Sequence, residues 1–307
     1  MMRVVRTAVA LSLGAFLILS ASIQPAWGAD RGRIAFVGTR RNPNAFPLGH
    51  IYTERIDGSG LTRVTAGRNA YSSPAWSPDG SELAYGVSGL GPRLPITIIN
   101  ADGSDPRVLV GGENNYTPAW SPDGTEIAFS RSTNCPGRCG LAIFTIGTDG
   151  EGLTRITGPR YVAFEPSWSS SGRRIAFDGA GPNGFYLDAI NVDGSGLDRL
   201  TASRLDLQSP AWSPTGPAIL FLHASRRIEV LRPRTGNIHT VLHCAGSCRY
   251  VRDPAWSPNG HRIVFVEGRG SRGERPSPHL MMMGSDGSHE QRIRTHHLSP
   301  SAPAWQP

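Results

Sequence analysis

Glu165 and Asp253 each stand immediately before a Pro-X-Trp tripeptide, at equivalent positions of a recurring phrase. Carboxylates placed in this way suit a hard cation such as calcium, which takes roughly six to eight oxygen ligands. The other copies carry Ser73, Thr117, Ser209 and Ala302 at that position, so a calcium site would rest on Glu165 and Asp253, assisted by Asn114 or Asn115. Nearby positions hold side chains suited to gripping a partner rather than reacting with it: Tyr71, Asn115, Tyr116, Phe164, Gln208, Tyr250 and Arg252. Tyrosine and arginine are enriched where interfaces concentrate their binding energy. The chain contains no Gly-X-Ser-X-Gly elbow, His-Glu-X-X-His pair, Gly-Lys-Ser/Thr phosphate loop or Ser-X-X-Lys. Those absences leave no signature of a nucleophilic hydrolase or a zinc peptidase.

The four cysteines fall in two close pairs, Cys135-Pro-Gly-Arg-Cys139 and Cys244-Ala-Gly-Ser-Cys248. Matched spacing and an even count in an exported chain predict two short disulfide clips, Cys135 with Cys139 and Cys244 with Cys248. Each closes so small a loop that it contributes only ~2 kcal/mol. The competing chemistry is a four-cysteine metal site, which would require the two distant pairs to converge.

These residues are positioned by a repeat. Pro-X-Trp recurs with its tryptophans at 76, 120, 168, 212, 256 and 305, spaced 44, 48, 44, 44 and 49 residues apart. A period of that length, with turn residues at constant offsets, is the mark of a closed repeat array such as a β-propeller. Most copies continue as Ser-Pro-X-Gly and then a short apolar strand, as in Glu82-Leu-Ala-Tyr85, Glu126-Ile-Ala-Phe129 and Arg174-Ile-Ala-Phe177. A second hairpin follows, turned by Asp-Gly at 57, 102, 149, 193 and 286 and by Thr235-Gly236 in one unit; Asp-Gly between strand patterns is a strong hairpin signal. Four strands per unit make a propeller blade.

The segment Arg31-Gly-Arg-Ile-Ala-Phe36 is the second half of a unit, and Pro303-Ala-Trp-Gln-Pro307 is a first half. Joined, they complete a sixth blade, so the expected fold is an all-β, six-bladed propeller closed by N-terminal strands pairing with a C-terminal strand. The repetition of Pro, Trp and the turn residues in every unit assigns them a structural role. Unit-specific residues beside them, in the loops of the channel face, are the candidates for binding. Asn100-Ala-Asp102-Gly103 has the look of a calcium loop but lacks its remaining ligand positions, and is expected to be a hairpin turn.

The run Pro-Ala-Trp-Ser-Pro-Asp-Gly, followed by Ile-Ala-Phe and then Asp-Gly-Ser-Gly-Leu-Thr-Arg, resembles the WD40-like repeat of TolB-type six-bladed propellers. The resemblance covers nearly all of the chain after the leader. It implies a propeller without the α/β domain that TolB carries ahead of its own. TolB works in the periplasm with the peptidoglycan-associated lipoprotein Pal, and that role is not expected to transfer with the propeller.

Residues 1–28 read as a secretory signal peptide, with Arg3 and Arg6 first, an apolar stretch over 8–18 and Ala26-Trp27-Gly28 at the cleavage site. The apolar stretch is short of the ~20 residues a membrane span needs. Residues 29–307 are expected to form the propeller, without a transmembrane segment, outside the cytoplasm as a secreted or periplasmic monomer. All 31 basic residues are arginine, and removing Arg3 and Arg6 lowers the formal charge from +7 to +5. A modest basic excess attracts anionic envelope polymers. No basic run interleaved with aromatics is present, so nucleic acid is not the expected partner. The sequence therefore points to a non-catalytic scaffold, without cofactor, for a protein, peptide or envelope glycan. The alternative is a lactonase- or esterase-type hydrolase with calcium in the channel.

Overall fold

The computed structural model describes residues 32–40, 48–67, 69–88, 93–133, 140–159, 161–181, 184–202, 206–271 and 273–307. The proposed signal peptide and the Cys135/Cys139 pair lie outside them. All regular structure among the described residues is β, in six four-stranded antiparallel sheets set around a channel.

Blade 1 begins with β1 (Arg33–Arg40), β2 (Gly49–Arg55) and β3 (Thr62–Arg63). Blade 2 follows with β4 (Ala70–Trp76), β5 (Glu82–Ser88), β6 (Ile96–Asn100) and β7 (Arg107–Val110). Blade 3 holds β8 (Asn115–Trp120), β9 (Glu126–Ser132), β10 (Leu141–Gly147) and β11 (Thr154–Arg155). Blade 4 holds β12 (Val162–Trp168), β13 (Arg174–Gly181), β14 (Gly184–Asn191) and β15 (Asp198–Arg199). Blade 5 holds β16 (Leu207–Trp212), β17 (Ile219–His223), β18 (Arg227–Arg232) and β19 (Asn237–His243). Blade 6 holds β20 (Cys248–Trp256), β21 (Arg262–Arg269), β22 (Ser277–Gly284) and β23 (Gln291–Ile293). The last strand, β24 (Leu298–Trp305), returns to blade 1 and pairs with β1, Ile34 opposite Trp305 and Gly38 opposite Pro300. The ring closes as the divided motif required.

Local chemistry accounts for the regularity. In Ser-Pro-Asp-Gly the Gly80 N–H donates to the Ser77 carbonyl at 2.9 Å, with Gly80 at φ 69°. Ser77 Oγ then accepts the Glu82 N–H at 2.9 Å and donates to Asp79 at 2.6 Å. Hydrogen bonds from Ser77 and Ser81 hold the Asp79 carboxyl down at about 2, so the turn keeps a carboxylate acceptor. The same Ser-to-backbone bond recurs from Glu126 to Ser121, Arg174 to Ser169 and Arg262 to Ser257. Where the short outer strand ends, a threonine hydroxyl accepts the next ladder N–H. Thr65, Thr157 and Thr201 do so for Ile51, Ile143 and Leu187, each at 3.0 Å.

The core lies between sheets. Phe36, Phe129, Phe177, Phe221 and Phe265, the aromatic residues that close each Ile-X-Phe strand, are fully buried. The tryptophans bridge blades: Trp120, Trp168 and Trp256 donate their indole N–H to the carbonyls of Ala75, Ala119 and Ala211 in the preceding blade, at 3.0 to 3.1 Å. Each joins burial of a large ring to one directional bond, which sets blade against blade. Cys244 and Cys248 form a disulfide with a Cα–Cα distance of 5.3 Å, clipping the connection from blade 5 to blade 6. That bond uses both thiols and removes them from a four-cysteine metal site.

Candidate functional site

The innermost strand of every blade carries a bulge at its proline. In blade 2, Ser72 pairs with Gly86 and Ala75 with Ala84, which leaves Ser73-Pro74 opposite the single residue Tyr85. The other five blades show the same interruption, at Tyr116/Ala119, Phe164/Ser167, Gln208/Ala211, Arg252/Ala255 and, through β1, Ala35/Val37. Proline has no N–H to give a ladder, so a bulge is where a strand accepts it. The residue before it turns left-handed: φ is 49° at Ser73, 48° at Thr117, 50° at Glu165, 56° at Ser209, 52° at Asp253 and 47° at Ala302. Each such non-glycine conformation costs on the order of 1 kcal/mol, held by the surrounding sheet.

These six residues and their prolines meet around one cavity of about 240 Å³, a mouth of the channel. Glu165 and Asp253 thus face the same space, on blades 4 and 6, with Ser209 of blade 5 between them. The opposite wall, from Ala302, Ser73 and Thr117, carries no charge, so the mouth is acidic on one side. Farther along, the six repeat tryptophans line a second cavity of about 440 Å³ that shares Pro74, Pro118, Ser167 and Ala255 with the first.

Burial raises the Glu165 pKa, and Asp253 adds to the rise, while hydrogen bonding at Ser209 opposes it. Asp178, on β13 opposite Phe164, lies beneath Glu165. Its surface is 4% exposed, and burial, with Glu165 as the next cause, lifts its carboxyl well above the usual range. Asp178 Oδ2 accepts the Ser209 N–H at 3.2 Å, whereas Oδ1 is buried without a hydrogen bond. Asp253 Oδ2 accepts the Ala302 N–H at 2.9 Å and lies 3.7 Å from Arg252 Nε. Ser130 Oγ accepts the Glu165 N–H at 3.1 Å. The left-handed residues are thus tied to neighbouring blades, and the acids of the mouth are supported from behind.

Asp178 was absent from the sequence candidates. A signal existed: the residue after the strand aromatic is Val37, Gly86, Ser130, Asp178, Leu222 or Val266, and the aspartate is the lone acid among them. The candidates themselves divide. Tyr116, Phe164, Gln208, Tyr250 and Arg252 are half-buried beside the bulges. Phe164 meets Phe185 edge-on at 5.8 Å, and Gln208 Nε2 donates to Asp206 at 2.9 Å. The Arg252 guanidinium lies 5.3 Å from the Tyr250 ring centre, and that ring covers Gly268, where any Cβ would strike it. Tyr71 is instead packed between His50 and Tyr85, its hydroxyl donating to the Ala66 carbonyl. Asn115 is buried; its Nδ2 donates to the Leu94 and Glu113 carbonyls at 3.0 and 2.9 Å, and its Oδ1 has no hydrogen-bond partner. No cluster of three or more His, Cys, Asp or Glu side chains suited to a metal ion occurs among the described residues.

Comparison with solved structures supports the architecture. TolB from Acinetobacter baumannii superposes with a TM-score of 0.71 at 24% identity, over 90% of this chain and 67% of that one. A putative TolB from Agrobacterium tumefaciens gives 0.66 at 19% identity, over 86% and 89% of the two chains. An oligogalacturonate lyase from Vibrio parahaemolyticus gives 0.56 at 15% identity, over 85% and 79%. At these identities the likeness is one of fold. A search of curated proteins found no match. The family model described as the TolB beta propeller domain matches residues 27–307, and the chain belongs to that family.

Proposed function

We propose that this protein is an exported, non-catalytic binding propeller whose channel face docks a protein, peptide or envelope glycan. The observation that carries the reading is the channel mouth. Six residues share one strained backbone conformation there, yet differ in chemistry, with Glu165 and Asp253 on one side and uncharged residues on the other. A repeated scaffold with unit-specific side chains converging on one opening is built to select rather than to react. An opening of about 240 Å³ accepts one side chain or sugar ring of a larger partner, and its acidic side favours a group bearing hydrogen-bond donors or positive charge. Tyr116, Phe164, Gln208 and Arg252, each one position before a residue of the mouth, are half-buried and would add aromatic and polar contacts. The family resemblance to TolB and the reading of residues 1–28 as a leader support a location outside the cytoplasm. The described residues contain no helix long and apolar enough to cross a membrane.

The test is cross-linking capture from an envelope fraction using residues 29–307, compared with Glu165→Gln/Asp253→Asn and Phe164→Ala variants. A discrete partner captured by the wild type and lost from both variants supports the reading; equal capture by all three proteins overturns the assignment of the channel face.

A second reading is favoured by one observation, the convergence of Glu165 and Asp253 on the same channel mouth. Neither Asn114 nor Asn115, the expected assisting ligands, lines the mouth, so a calcium ion there would rest on the two carboxylates with the neighbouring serine and threonine hydroxyls. The binding reading expects melting temperatures in chelator and in millimolar calcium to agree. A calcium-dependent rise abolished by Glu165→Ala and by Asp253→Ala would instead make a calcium-dependent lactonase- or esterase-type hydrolase the leading interpretation.

A further inference from the structure

We propose that the seam between blade 6 and blade 1 holds a second binding site, a cleft for a small ligand bearing carboxylate or phosphate groups. The cleft has a volume of about 630 Å³, within the range of small-molecule sites. Its ionisable lining is basic: Arg40 comes from the end of β1, His279 from β22, Arg292 from β23, and His296 and His297 from the link into β24, with Ser277 and Ser299 as neutral polar neighbours. An adjoining cavity of about 600 Å³ shares Arg292, His296 and His297 and adds Arg294.

Elsewhere several arginines find acids, as Arg107 does with Glu82, Arg174 with Asp198 and Arg269 with Glu267, and others, among them Arg63, Arg131, Arg155, Arg226 and Arg249, are tied down by backbone carbonyls. Among the described residues, no carboxylate lies within ion-pair distance of Arg40, Arg292 or Arg294. Arg40 and Arg292 thus face a concave cleft without paired carboxylates, Glu54 beneath His296 being the acid at its edge, and unpaired like charges around a concavity raise the local potential for an anion. The guanidinium fork matches the planar pair of oxygens on a carboxylate or phosphate.

Two further features suit a ligand larger than a bare ion. Tyr52 and Leu298 supply apolar wall for its carbon skeleton. The Nδ1 of His279 is buried without a hydrogen-bond partner from the protein, a place for a ligand hydroxyl to satisfy. Geometry also holds the link open at the cleft. His296 and His297 are both left-handed, with φ of 45° and 69°, and His296 Nε2 turns down to within 3.1 Å of Glu54 Oε1 and 3.0 Å of the Gly58 carbonyl. The seam cleft and the channel mouth share no lining residue, so the two proposals stand or fall separately.

The experiment is titration calorimetry on residues 29–307 at low ionic strength, with citrate, glucose 6-phosphate and inorganic phosphate as probes and glucose as the neutral control. Saturable binding of at least one anion, weakened about tenfold or more by Arg292→Gln and by Arg40→Gln and unchanged by Glu165→Gln, supports the cleft. Affinity should also fall steeply as sodium chloride is raised. Citrate alone, glucose 6-phosphate alone or all three binding would assign the preferred group as carboxylate, sugar phosphate or any compact anion. Both arginines are exposed, and matching melting curves will establish that the variants are folded. Absence of saturable binding for all three anions, or full retention of binding in both arginine variants, overturns the proposal.

Discussion

Glu54 is buried where the other five blades place apolar side chains. Its partner across the β1–β2 ladder is Ile34; the corresponding pairs are Leu83 with Ile99, Ile127 with Ile146, Ile175 with Ile190, Ile219 with Leu231 and Ile263 with Met283. Burial pushes the Glu54 pKa up to about 7, against the opposing influence of His296 and Arg33 and with a small addition from Asp57. In the unfolded chain a glutamate titrates near ~4.3. Between those values the folded protein binds the extra proton, so stability falls as pH rises through that window and stays lower above pH 7. The difference is on the order of 3 kcal/mol. Replacing Glu54 with Met, the residue type of blade 6, should remove this dependence. The stability of Glu54→Met relative to wild type, measured by denaturant unfolding, is expected to grow between pH 5 and pH 8. A constant offset across that range would mean that Glu54 does not titrate from a buried position.

At the scale of the element, the bulged inner strand is the device that makes the mouth. Proline removes a ladder donor, the residue before it goes left-handed, and the side chain at that point is delivered to the channel instead of the sheet. Ala302 shows the conformational cost in isolation, because its side chain has nothing to hydrogen-bond, whereas the Thr117 hydroxyl meets Ser130 Oγ at 3.0 Å. Ala302→Gly should therefore stabilise the protein by roughly 0.5–1 kcal/mol, the relief of left-handed strain exceeding the added freedom of the unfolded chain. Ala302→Val should destabilise it, since a β-branched residue tolerates positive φ poorly. The order Gly above Ala above Val in melting temperature is the expected result; the reverse order would show that the strand relaxes out of this conformation.

For the whole molecule, closure rests on ten residues at one end of the chain. β24 hydrogen-bonds β1, Gln306 donates its backbone N–H to the Arg33 carbonyl at 2.8 Å, and its side chain reaches the Gly80 carbonyl at 3.0 Å in blade 2. Leu298 and Trp305 also enter a core shared with Ile34, Phe36, Val264 and Val266, joining blades 1 and 6. Deleting residues 298–307 would expose that core and leave the β1 edge unpaired. Loss of Trp305 alone is worth ~3–5 kcal/mol, and an open strand edge invites association. The truncated chain should show a broad, early melting transition and elute as aggregate in size-exclusion chromatography. A monomer melting like the full chain would show that the remaining blades are stable as an open arc.

The repeat, the turn types, the blade count and the closing partnership were legible in the amino-acid sequence, because each follows from short-range chemistry. Ser-Pro-Asp-Gly and Asp-Gly make their turns with their own side chains and neighbouring backbone, and the divided motif at the two ends has one way to become whole. The candidate mouth was legible in part: the position before Pro-X-Trp identified Glu165 and Asp253 as equivalent residues, and equivalence in a closed ring brings them to one opening. The environments were not legible. Tyr71 and Asn115 share the inner strands of the rim residues but are buried, Asp178 supports the mouth from beneath on a second strand, and Glu54 occupies an apolar slot. Which arginines find a carboxylate was equally hidden, and with it the basic seam. Those outcomes depend on what a neighbouring blade presents, and at the seam that neighbour comes from the opposite end of the chain, beyond the reach of any local pattern. Local sequence determined the blades; only the tertiary structure decided which side chains meet between them.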